Sequence, residues 1–162
     1  MRKTIVFLFA ICYLFFAVLG CAKKESKLPQ TEQDKLKKVQ LKAQAAYEKG
    51  LRAYYAHRYE QALGLFKEAL EINPKFHEAW CEYGIALLNL GKIEEAIEPL
   101  KKSVQLKPDY ARGHFALACA YVREKRPKAQ LARAEYKKAL GLGYKIPDWF
   151  VKYLAAVEKK RQ

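Results

Sequence analysis

The sequence predicts an all-α fold, an α-solenoid of paired helices, and three observations carry that prediction. Residue types recur every 34 positions: Gly50 and Gly84, Ala62 and Ala96, Phe66 and Leu100, Pro74 and Pro108. Apolar residues within each period fall at helical spacing, with glycine or proline between the runs. Small residues recur in both helices of each pair, where two helices need room to approach, and large ones recur to fill the space between. No such pair buries its apolar face alone, so about three must stack, and three periods are present.

The chain opens with a segment of another kind. Met1-Arg2-Lys3 is basic, Ile5 to Leu19 is almost purely apolar, and Gly20-Cys21 follows. That is the order of a secretory leader: basic start, apolar run, small residue at the cut. An uncleaved anchor is the competing reading, but the apolar run is shorter than the roughly 20 residues a spanning helix needs.

Val18-Leu19-Gly20-Cys21 resembles the lipobox of bacterial lipoproteins. The resemblance implies cleavage of residues 1–20, a diacylglycerol on the Cys21 thiol and an acyl chain on the new amine. No other cofactor is expected. Several acyl chains together give stable anchoring where one is marginal. Ala22, in place of the Asp that retains enterobacterial lipoproteins at the inner membrane, points to the periplasmic side of the outer membrane.

Residues 21–38 hold the lipid-bearing cysteine, a polar spacer with Pro29, and the start of a helix. The spacer has too few apolar groups to fold by itself. Its lysines suit anionic headgroups, at about 1 kcal/mol each, and suit plain solubility equally well. Thr31 is placed to cap a helix whose first turn carries acids. From there to Ala56 the sole breaker is Gly50, so one long helix is expected.

Residues 39–144 hold the three periods, 43–76, 77–110 and 111–144. In the second, Trp80, Tyr83, Gly84 and Leu87 lie in the first helix, Gly91 turns the chain, Ala96, Leu100 and Ser103 lie in the second helix, and Pro108 closes the unit. This pattern resembles the tetratricopeptide repeat. The first unit matches with Gly50, Tyr59, Ala62, Phe66, Ala69 and Pro74 but has Ala46 and Lys49 at its start. The third matches with His114, Leu117, Ala118 and Tyr121; its Ala132, Tyr136 and Ala139 then arrive two residues late, which places an insertion in the turn 123–128. Pro99 inside a second helix removes a hydrogen bond and is expected to bend it.

Residues 145–162 are expected to form a capping helix. Gly141 and Gly143 stop the last repeat helix, and Pro147 suits a first turn. Trp149, Phe150, Tyr153, Leu154 and Val157 fall on one face, with Lys152, Glu158, Lys159 and Lys160 expected to face away.

In the tetratricopeptide family the first helices of successive repeats line a concave groove. Carried over by position, the first repeat gives Gln44, Tyr47, Leu51, Tyr54 and Tyr55. The second gives Glu78, Cys81, Ile85, Leu88 and Asn89, and the third gives Arg112, Phe115, Cys119, Val122 and Arg123. Groove positions are expected to face solvent, yet many here are aromatic or aliphatic, and an exposed apolar patch marks an interaction surface. The tether, the long first helix or a second copy of the chain, forming a homo-oligomer, could cover it instead. Some repeats of this kind grip a carboxyl terminus with Lys, Arg and Asn; here Tyr47 and Leu51 occupy two of those positions and only Arg112 fits.

The formal net charge is +14, and +12 once Arg2 and Lys3 leave with the leader. That excess suits anionic lipid, wall polymer or an acidic protein, while an export signal argues against nucleic acid. The basic turn Arg123, Lys125, Arg126 and Lys128, near Lys137 and Lys138, is a second candidate surface, or simply a solvated turn.

Chemistry-bearing residues are sparse. Cys81 and Cys119 fall on neighbouring helices, where axes 8–10 Å apart leave Cα atoms beyond the roughly 7 Å a disulfide allows, so free thiols are expected. His77-Glu78 resembles the start of a zinc-protease helix, but residue 81 is cysteine. Phosphate loops and nucleophile elbows are missing from the sequence. The expectation is therefore no catalytic residue and no metal ligand, and a lipid-anchored adaptor that binds another envelope protein, as do lipoproteins with these repeats that serve pilus secretins and cell-wall hydrolases. The alternative is a basic structural protein holding anionic lipid or wall polymer.

Overall fold

The computed structural model describes residues 30–159. The expected leader, Cys21 and residues 22–29 of the expected spacer lie outside the described residues, while Gln30 and Thr31, read as its end, are already helical. Seven helices follow one another with no strand between them among the described residues: α1 (Gln30–Tyr55), α2 (Tyr59–Ile72), α3 (His77–Asn89), α4 (Ile93–Leu106), α5 (Ala111–Arg123), α6 (Ala129–Gly141) and α7 (Asp148–Lys159). None of them is long and apolar enough to cross a membrane. The fold is an all-α solenoid of helix-turn-helix pairs.

The long helix forms as expected, though its described start at Gln30 places Thr31 inside the first turn rather than at the cap. Helices α2 and α4 begin 34 residues apart, whereas α6 begins 36 residues after α4. The two extra residues lie in the loop after α5, which Lys128 closes by donating its N–H to the Tyr121 carbonyl at 2.9 Å.

The turns inside the first two repeats share one geometry. His57 (φ 57°) and Gly91 (φ 74°) occupy the same left-handed position. Each is followed by an N–H that reaches back over the helix end, Arg58 to Ala53 O at 2.9 Å and Lys92 to Leu87 O at 3.0 Å. This is the αL helix stop, taken by glycine in one repeat and by histidine in the other. Gly143 (φ 82°) ends α6 in the same way.

The turns between repeats also match. Trp80 donates its indole N–H to the Pro74 carbonyl at 2.9 Å. One period later the His114 Nε2 meets the Pro108 carbonyl at 2.8 Å. A ring nitrogen thus fastens α3 and α5 to the proline turns before them.

Small residues set the spacing within each pair. A Cβ at Gly50 would lie 2.6 Å from the Phe66 ring, and one at Gly84 would lie 2.6 Å from Leu100 Cγ. Phe66, Leu100, Ala62, Ala96, Ala118 and Ala132 are fully buried. Helix α4 continues through Pro99, itself buried, from Ile93 to Leu106.

Helix α7 corrects the expected face. Phe150 and Leu154 are buried and Val157 is half-buried, but Trp149 and Tyr153 are 56% and 44% exposed. Glu158, expected to face solvent, pairs with Arg133 on α6. An inward face centred on 150, 154 and 157 leaves 149 and 153 on one flank and 158 on the other.

Candidate functional site

The first helices of the three repeats, together with α7 and the loop before it, line an open cavity of about 270 Å³. Tyr54 enters from α1, and Ile85, Leu88 and Asn89 from α3. Helix α5 supplies Arg112, Phe115, Ala116, Cys119 and Arg123, and the C-terminal segment supplies Tyr144 and Trp149.

Hydrogen bonds fix its polar edge. The Asn89 amide donates to the Tyr54 hydroxyl at 2.9 Å and to the Ile85 carbonyl at 3.0 Å. Arg123 donates to the Leu88 carbonyl at 3.0 Å, bonding α5 to the end of α3. The aromatic wall is a stack: Phe115 lies 4.9 Å from Tyr144, nearly parallel, and 5.1 Å edge-on from Phe150. Trp149 in turn meets Phe150 edge-on at 5.8 Å. Offset and edge-to-face contacts of this kind favour a fixed arrangement of rings.

Arg112 is not a free cation. Its Nε lies 2.8 Å from Glu82 Oε1, and its Nη2 donates to Glu82 Oε2 at 3.0 Å. Burial pushes the Glu82 carboxyl up while Arg112 holds it back. Arg112 is half-exposed and Glu82 buried, so the pair forms a neutral floor under the cavity. Burial also raises the Tyr54 hydroxyl, against the Asn89 hydrogen bond, and raises the Tyr144 hydroxyl. It pushes the Cys119 thiol up to about 12, with Arg123 pulling the other way. These three groups are therefore uncharged at neutral pH, and Arg123 is the lining residue whose charge stays uncompensated.

Several groove positions read from the sequence lie elsewhere. Cys81 is fully buried rather than groove-facing, its thiol raised strongly by burial, with Arg112 and Tyr110 beside it. Its helix, α3, is the middle one and is covered by α5 and by residues of α1. Val122, on α5, is buried in the core that α5 shares with α4, α6 and α7. Leu88 lines the cavity with its tip alone, at 4% exposure. Tyr47 and Leu51 are half-buried against the α1–α2 core around Ala46, Ala53 and Phe66, and do not line the cavity. Tyr55 is 67% exposed and lies outside it. Gln44 and Glu78 border a separate cleft of about 530 Å³ between α1 and the α2–α3 turn.

Tyr144, Trp149 and Ala116 were not read as groove residues from the sequence. Repeat periodicity gives no register for the loop after α6 or for α7; the signal available was the large apolar Trp149 on a helix whose inward face was already filled by Phe150 and Leu154.

Cys81 and Cys119 carry no disulfide. His77 Nδ1 lies 2.9 Å from the Glu78 carboxylate, its neighbour in sequence, and burial keeps that ring's pKa below its usual value. Among the described residues, no group of three or more His, Cys, Asp or Glu could hold a metal ion.

Paired helices of 13 or 14 residues after the longer α1, αL stops shared by the first two repeats and a groove built from alternate helices define a helical-repeat scaffold. Residues 47–111 match the family described as tetratricopeptide repeat. Among curated proteins it is 34% identical over 100 residues to the Hsp70-Hsp90 organizing protein of Triticum aestivum, a match covering 62% of this chain and 17% of that protein. It is 40% identical over 63 residues to the type IV pilus assembly protein PilF of Pseudomonas aeruginosa, covering 39% of this chain and 24% of that one. Among solved structures it resembles the first such domain of Spaghetti (RPAP3) bound to the HSP90 peptide SRMEEVD, with TM-score 0.67 and 18% identity over 75% of this chain and 94% of the other. The Sgt2 domain from Aspergillus fumigatus is similar, with TM-score 0.64 and 21% identity over 74% and 78%. At these identities the structural likeness is one of fold.

Proposed function

We propose that this chain is an adaptor that binds a segment of another protein in its concave groove, and that it works at the cell envelope, tethered by lipid at Cys21. One observation carries the binding half: a cavity between the alternate helices with an apolar wall, hydrogen-bonding groups at its edge and an unpaired cation. A stable fold has no use for exposed aromatic surface there, and such patches mark binding sites. The envelope half rests on the leader and Val18-Leu19-Gly20-Cys21, and the similarity to a pilus assembly protein supports it.

Two measurements separate the halves. Mass spectrometry of the mature protein should find acyl chains on Cys21, and Cys21→Ser should leave the membrane fraction. A wild-type protein without lipid, fractionating as the mutant does, refutes the anchor. Pull-down of an identified envelope protein should fail for Ile85→Asp and survive Lys125→Glu with Arg126→Glu. The reverse pattern favours the basic-polymer reading, for which the exposed turn residues Lys125 and Arg126 are the relevant surface.

A further inference from the structure

We propose that the groove selects an internal acidic segment of its partner, anchored by one large apolar side chain beside Trp149 and by a carboxylate on Arg123. The inference rests on the groove being a peptide-binding surface and names the chemistry of the peptide.

The anchor follows from the aromatic wall. Helix α7 buries Phe150 completely and leaves the larger indole of Trp149 56% exposed at the cavity rim. Tyr153, one turn further along the same flank, is 44% exposed. Folding of the cap needs neither ring outside. A partner's aromatic or aliphatic side chain entering between Trp149 and Phe115 would bury both, and anchors of this type dominate binding energy at interfaces. The cavity has room for one or two such side chains, not for a whole helix face.

The acidic character follows from charge. No carboxylate lines the cavity, and Arg112 is matched by Glu82. Arg123 spends one N–H on the Leu88 carbonyl and has no carboxylate partner among the described residues. A guanidinium has five N–H donors in a fork that fits a carboxylate. Beyond it the exposed Lys125 and Arg126 continue the positive charge outward, while Glu124, the nearby acid, is held by Lys128. Complementarity of this kind sets partner choice and encounter rate.

The segment is internal rather than terminal because the groove lacks a carboxylate clamp. Tyr47 and Leu51, half-buried against the α1–α2 core, hold two of the positions that would build one, and Arg112 is already neutralised.

The test is selection from a random dodecapeptide library displayed with both ends blocked, using the full mature chain as bait. Enriched peptides should place Trp, Phe or Leu within a few residues of Asp or Glu. A winner made with acetylated and amidated ends should bind wild type, and Arg123→Gln should weaken it by about tenfold to a hundredfold, the range for a charged hydrogen bond. Arg123→Lys should restore part of the loss, and Trp149→Ala should weaken binding by about tenfold or more. If nothing is enriched over the blank, the groove reading fails and this inference with it. If peptides are enriched and Ile85→Asp abolishes their binding, but they show no acidic bias or ignore Arg123→Gln, the groove stands and this inference is overturned. Loss of binding on amidation overturns it too.

Discussion

Arg112 on α5 and Glu82 on α3 form an ion pair beneath the groove, with Nε 2.8 Å from Oε1 and Nη2 donating to Oε2 at 3.0 Å. The contact bonds the middle repeat to the third and removes a positive charge from the binding surface. Removing one partner strands the other: Glu82→Gln should destabilise the fold by about 1–3 kcal/mol, less than a fully buried pair because Arg112 reaches solvent. Replacing both with Met should lose less than Glu82→Met and Arg112→Met summed. Urea unfolding of wild type, the two single Met variants and the double variant checks this, and additive losses would show that the pair acts as two independent groups.

Glycine positions should differ in sign. Gly84→Ala drives a Cβ to 2.6 Å from Leu100 Cγ, an overpacking expected to cost about 1–3 kcal/mol. Gly64 is helical with nothing within 4 Å of a built Cβ, so Gly64→Ala should stabilise by about 0.5–1 kcal/mol. Equal effects at the two sites in thermal unfolding would contradict the assigned spacing of α3 and α4.

The turn at His57 holds a non-glycine residue at φ 57°, where Gly91 stands one repeat later. A left-handed residue with a Cβ costs about 1–2 kcal/mol, offset by the chain entropy that glycine loses and by the 2.8 Å contact of His57 Nδ1 with the Tyr59 hydroxyl. Gly91→Ala should therefore destabilise by about 1 kcal/mol, while His57→Gly should change stability much less. A large loss at His57→Gly would assign more to the Tyr59 contact than one exposed hydrogen bond carries.

Stability should fall in acid through Glu135. Burial pushes its carboxyl up, but hydrogen bonds with His114 (2.5 Å) and Lys138 (2.9 Å) outweigh that and hold it below the ordinary 4.5. The folded pKa is below the unfolded one, so this stabilisation is complete above about 4.5 and disappears as pH falls through the folded value. Glu158, held down by Arg133, adds in the same sense, and Glu82, raised by burial, opposes it. Urea midpoints should decline below about pH 4.5, and Glu135→Gln should flatten that decline. An unchanged profile would remove Glu135 from the account.

The two thiols should be slow. Burial drives Cys81 far above the ordinary range and Cys119 to about 12, and the thiolate is the reactive form. At neutral pH, residue-resolved alkylation should leave both unmodified until denaturant is added. Cys119 lines the cavity, so a bound peptide should slow its alkylation further without changing Cys81.

The repeat was legible because its determinants are local and recur: Gly84 meets Leu100 within one helix pair, and the period shows both. The late arrival of Ala132 and Ala139 likewise marked the longer third turn. Cys81 was misread because exposure on a middle helix depends on what its neighbours carry; Arg112 and Tyr110, thirty residues on, cover it. The role of Trp149 was half-legible. Its helix was evident, but that helix faces inward through Phe150, which packs on Phe115 and Tyr136, contacts no periodicity encodes. The leader and Cys21 are read from sequence alone.

A photo-crosslinking residue at Ile85, half-buried on the cavity wall, and another at Lys102, exposed on α4, separate the two faces. In intact cells Ile85 should link to one identified envelope protein, through a peptide with acidic and large apolar residues, and Lys102 should not. Equal capture of that protein from both positions, or capture from Lys102 alone, would contradict the account.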